Sequence, residues 1–151
     1  MCHNRRLNSR VNRIHERALR IVFQDKNLSF QQLLVKANMV EIHHRNLQIL
    51  ATELFKVKND ISPPIMKEVF PIRDAKYNFR KDIAFNTRNI RSVIYGTESL
   101  THLGPKIWAL IPDIIKDSKT LPIFKSKIKT WIPDHCPCRL CKSYIPNLGF
   151  I

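Results

Sequence analysis

The chain has 151 residues, room for one ordinary domain, and its 44% hydrophobic and 25% charged residues give a globular balance, not a disordered one. Lys and Arg number 26 against 12 Asp and Glu, and the resulting charge of +14 points to a polyanionic partner, nucleic acid or an anionic membrane face. Gly96, Gly104 and Gly149 are the only glycines, too few and too scattered for a dinucleotide fingerprint, a P-loop or a nucleophile elbow, so those enzyme classes are excluded.

In chain order, residues 7–23 carry the clearest periodicity. Leu7, Val11, Ile14, Ala18 and Ile21 recur in steps of four and three, the apolar stripe of an amphipathic helix. Arg6, Arg10, Arg13, Arg17 and Arg20 repeat the same steps one residue earlier, which places a second, cationic stripe about 100° away. Asp25-Lys26-Asn27 reads as a break. Ser29, with Gln32 three residues on, has the form of a capping box and opens a short helix over 30–37, with Phe30, Leu33, Leu34 and Ala37 on one face.

Residues 41–58 form a longer helical candidate that turns Ile42, Leu47, Leu50, Leu54 and Val57 inward, widened by Ala51 and Phe55, and Asn59-Asp60 ends it. Ser62-Pro63-Pro64 starts another short helix with prolines in its first turn, where a missing N–H is harmless. Residues 71–96 are irregular, and Ser92–Tyr95 within them is a candidate strand of a small hairpin. Helical signals return at Thr97 or Ser99, and Pro105 is expected to divide this stretch into two short helices. Pro112 and Pro122 fit the first turns of two more. The last, over 121–131, carries Phe124, Ile128 and Trp131 on one side and Lys125, Lys127 and Lys129 around the rest. From Pro133 on, the chain is a Cys-rich tail.

The expected architecture is therefore mainly α: a compact multi-helix domain over 1–132, with an irregular or small β-hairpin middle at 71–96, followed by a tail over 133–151. The longest apolar run, Ile107–Ile111, falls far short of the ~20 residues of a membrane span, and Met1–Arg6 is basic without the apolar stretch of a secretory signal. Four cysteines in such a chain fit thiols or metal ligands in a reducing intracellular compartment, nuclear or cytoplasmic.

Three constellations carry chemistry. Guanidinium groups at helical spacing along 6, 10, 13, 17 and 20 can meet successive phosphates of RNA or DNA with forked hydrogen bonds, and Lys125, Lys127 and Lys129 add a second basic group. A solvated helix face and an Arg-rich presequence share that pattern. In the tail, Cys136, Cys138 and Cys141 beside His135 could share a Zn²⁺ ion, although no second C-x-x-C exists, and a free reduced tail accounts for them as well. His43-His44 points its rings apart on a helix, one exposed and one packed, and Trp108 and Trp131 read as core. Aspartates are never adjacent and fall mostly at helix ends or in loops, so no spacing points to the paired carboxylates of metal-assisted nucleotidyl transfer, and no catalytic residue is expected.

Asn12–Val22 (NRIHERALRIV) resembles a segment near the C-terminal end of non-LTR retrotransposon polyproteins of the jockey-like type. Ile42–Gln48 (IHHRNLQ), Tyr95–Ser99 (YGTES), Leu103–Trp108 (LGPKIW), Phe124–Lys129 (FKSKIK) and Cys136–Lys142 (CPCRLCK) resemble the same family in the same order. The resemblance implies a segment downstream of the palm of an RNA-directed DNA polymerase, on the thumb side or beyond it, that helps hold template RNA or target DNA. It also implies a fragment or a degraded copy, because Met1 falls where family chains are in mid-course and no Asp-Asp of the family's polymerase centre occurs here. The competing expectation is a stand-alone basic helical module that binds an acidic protein and no nucleic acid.

Overall fold

Among the described residues, seven bounded helices follow from these local signals. They are α1 (Arg5–Phe23), α2 (Phe30–Lys36), α3 (Ile42–Lys58), α4 (Ile65–Val69), α5 (Leu100–Leu110), α6 (Asp113–Lys116) and α7 (Leu121–Ile128). The computed structural model describes residues 5–73, 84–87, 89, 90, 96 and 99–133. The chain is mainly helical, and it divides into two compact units, Met1–Asn46 and Leu47–Ile151. The Ser92–Tyr95 strand candidate and the tail beyond Pro133 lie outside the described residues.

In the first unit, α1 ends at Gln24, whose φ of 52 is left-handed, and the Asp25 carboxylate then accepts from the amides of Asn27 at 2.9 Å and Leu28 at 3.2 Å. The expected capping box opens α2: Ser29 Oγ accepts from the Gln32 amide, and Gln32 Oε1 accepts from the Ser29 amide. Asn38, at a φ of 52, closes α2, with the Met39 amide donating to Leu34 O at 2.9 Å and the Asn38 amide to Val35 O at 3.0 Å, the two bonds of a Schellman end.

Leu19, Leu33 and Leu34 form the buried centre of this unit, flanked by Phe23, Leu28, Phe30 and Ala37. The short turn from Gln24 to Ser29 decides which side of α1 meets α2. That side holds Leu19, Phe23 and His15, the last edge-on to Phe30 at 5.9 Å. An apolar stripe ordinarily faces a core. Here Leu7, Val11, Ile14, Ala18 and Ile21 face solvent instead.

The second unit has the larger core. The α3 stripe buries Leu47, Leu50, Ala51, Leu54, Phe55 and Val57 as its spacing predicts, while Ile42, which falls in the first unit, is half-buried. Gln48 is the buried polar member of that stripe, and its Nε2 donates to Lys129 O at 3.1 Å and Trp131 O at 2.9 Å. Phe55 stacks on Phe124 at 4.2 Å, Phe124 on Trp108 at 6.2 Å, and Trp108 meets Phe85 edge-on at 5.6 Å. Ile72 and Phe85 form an isolated antiparallel bridge, supported by Arg73 N donating to Ala84 O at 3.0 Å and Asn86 N to Pro71 O at 2.8 Å.

Two expectations about proline are corrected. Pro105 does not divide its helix: α5 runs unbroken through it. Proline removes a single interior bond there, and Leu103, Ile107 and Trp108 gain burial only if the helix continues. Pro63 and Pro64 precede α4 rather than filling its first turn, although Pro64, at φ −54 and ψ −34, is already helical in its torsions. Gly104 sits where a Cβ would lie 2.6 Å from Phe70 Cε1, so this turn of α5 approaches the ring more closely than any other residue allows.

Candidate nucleic-acid interface

Helix α1 carries six arginines and one acid, Glu16, in its 19 residues. At about 100° per residue its surface separates into three sectors. One, with Asn12, His15, Glu16, Leu19 and Phe23, is the half-buried to buried side. A second holds Arg6, Arg10, Arg13 and Arg17, all exposed, within about 60° of arc and about 16 Å of helix axis. The third is the exposed apolar strip, where Ile14 is 66% and Ile21 76% accessible.

Arg20 is the half-buried member of its row. Its Nη2 pairs with Glu16 Oε1 at 2.8 Å, its Nε reaches the same oxygen at 3.2 Å, and its Nη1 donates to Lys26 O at 2.7 Å. It ties the end of α1 to the following turn. The i, i+4 spacing of Glu16 and Arg20 was the signal that could have set it apart. Beside it an open depression of about 560 Å³ is lined by Arg17, Arg20, Ile21, Gln24 and Lys26. Lys26 is therefore a cation at the end of the row that helical spacing alone does not find, since it lies beyond α1.

The protonation of Asp25 is clearly displaced. The Asn27 amide, then the Leu28 amide, hold its carboxyl below the ordinary carboxylate value, with Lys36 and Arg20 adding to that effect. Asp25 thus stays ionised while engaged in the turn, and it partly offsets the cations around the depression.

Lys125, Lys127 and Lys129 belong to the second unit and are exposed on and just after α7. Lys127 Nζ donates to Ile114 O at 2.9 Å. Trp108 and Trp131 are buried, and Lys58 Nζ lies 5.8 Å from the Trp108 ring centroid. His43 and His44 are both half-buried with ring centroids 5.7 Å apart, not one exposed and one packed. His135, Cys136, Cys138 and Cys141 lie outside the described residues, among which no group of three or more His, Cys, Asp or Glu could hold a metal. No described helix is long and apolar enough to cross a membrane.

The arrangement can therefore bind an extended anion along α1. Compared with protein-family models, with curated proteins and with solved structures, the chain matches none.

Proposed function

We propose that this chain is a nucleic-acid-contacting accessory segment of a non-LTR retrotransposon reverse transcriptase, one that holds RNA or DNA and contributes no catalytic residue. Its partner is the phosphate backbone, and the rest of such a polyprotein would supply the polymerase centre. The reading rests on the ordered sequence words of the family. One observation carries the binding part: Arg6, Arg10, Arg13 and Arg17 share one exposed sector with no acid in it. Forked guanidinium donors suit phosphate oxygens better than ammonium groups do, and they bind without reading sequence.

Changing Arg6, Arg10, Arg13 and Arg17 together to Glu should abolish retention of RNA and duplex DNA at low salt, while helix content stays as it was. For the unaltered chain, log affinity should fall linearly with log salt, and loss of these four contacts should flatten that slope by about 3 to 4. Unchanged affinity in the variant rejects the reading. A shallow slope in the unaltered chain favours the competing module that binds an acidic protein and no nucleic acid. For the tail, the proposed cofactor is zinc held by Cys136, Cys138, Cys141 and His135, on the strength of their spacing alone.

A further inference from the structure

The apolar strip of α1 has no role in phosphate binding, yet its pattern is specific. Leu7, Val11, Ile14, Ala18 and Ile21 advance by four, three, four and three, the d-a-d-a-d register of a heptad seam. They occupy about 80° of arc, narrower than the face a globular helix turns to its own core. In that register Arg10 and Arg17 both fall at position g, along one edge of the seam. The opposite edge, position e, carries the uncharged Asn8 and Val22 on either side of His15.

We propose that this strip docks an amphipathic helix of another protein, whose own apolar seam covers Ile14 and Ile21 and whose acidic edge meets Arg10 and Arg17. Three observations select that occupant. Ile21 and Val22 are 76% and 70% exposed, while on the packed side Asn12 Oδ1 and His15 Nδ1 are buried without a hydrogen-bond partner. The helix thus hides polar atoms and leaves its better apolar face in water, an arrangement that a partner on that face would relieve. A second copy of this chain would offer no acid to Arg10 and Arg17, since an antiparallel pairing sets them against their equivalents and a parallel one against His15 and Val22, and either brings a charge of +14 against another. A lipid surface suits a wider face with aromatic anchors; this strip is narrow, has Ala18 at its centre and contains no aromatic residue.

The strip and the arginine row are adjacent sectors, so the proposal stands whether or not nucleic acid is the ligand of the row. The test uses the whole chain and a synthetic peptide of about four heptads, with Ile at a, Leu at d and Glu at e and g. One-to-one binding that weakens with salt is the expected result in calorimetry, with no binding of the same peptide carrying Lys at e and g. The Ile14→Gln, Ile21→Gln double variant should bind the acidic peptide about tenfold or more weakly, because two buried seam positions are lost. The single Ile14→Gln variant, which leaves the lining of the depression intact, should retain RNA as the unaltered chain does. Both isoleucines are exposed in the free chain, so folding is not at stake.

Failure of the acidic peptide to bind, equal binding by the double variant, or equal binding of the Lys-edged peptide would each overturn the proposal. So would phosphatidylserine vesicles that bind through Ile14 and Ile21 while the peptide does not, which would make the strip a membrane face. Concentration-dependent dimers that the double variant abolishes, without peptide binding, would assign it to a second copy.

Discussion

Gln48 shows what one polar side chain does inside an apolar stripe. It is 8% exposed, and its amide supplies both hydrogen bonds that hold the carbonyls of Lys129 and Trp131, more than eighty positions downstream. Removing the amide leaves those two acceptors without it, and an unmade bond costs more than a made bond contributes. Gln48→Ala should therefore lower stability by about 1–3 kcal/mol, read as a shift in the urea midpoint. An unchanged midpoint would mean that water replaces the amide without penalty. Arg20 teaches the converse about reading single residues. Its place in the row was legible from spacing, but its commitment to Glu16 and the Lys26 carbonyl depends on how the chain turns after α1, which spacing does not encode.

At the scale of elements, what could be read early was what is local. The capping box at Ser29 and the stripe of α3 each depend on neighbours within a few residues, and both form as expected. The outward face of α1 was not legible, because the turn from Gln24 to Ser29, not apolarity, selects the side that packs. Pro105 misled for a related reason: its local cost is one bond, and the burial that outweighs it comes from Phe70, Phe85 and Phe124, distant in sequence. The same turn makes a pH prediction. The folded state holds the Asp25 carboxyl below its ordinary value, so its contribution is complete above the ordinary carboxylate range and is lost as pH falls through the depressed value. Hydrogen-exchange protection of the Asn27 and Leu28 amides should fall under acid, and Asp25→Asn, which keeps an oxygen acceptor, should remove most of that dependence. Protection that is unchanged down to strongly acidic pH would place the ordering of the turn elsewhere.

For the whole molecule, composition announced the sign of the partner but not where the charge would sit. Four of the nine Lys and Arg of the first unit lie on one exposed sector of one helix, whereas the core of the second unit contains a run of aromatic rings from Phe85 through Trp108 and Phe124 to Phe55. That division has a practical consequence. Both tryptophans, Trp108 and Trp131, and all 3 tyrosines fall after Asn46, so Met1–Asn46 contains no strong intrinsic fluorophore. Emission during heating will follow the second unit alone, while backbone ellipticity follows α1 and α2 as well. If the two halves melt independently, the two optical curves should separate; if they coincide, the halves unfold as a single cooperative body.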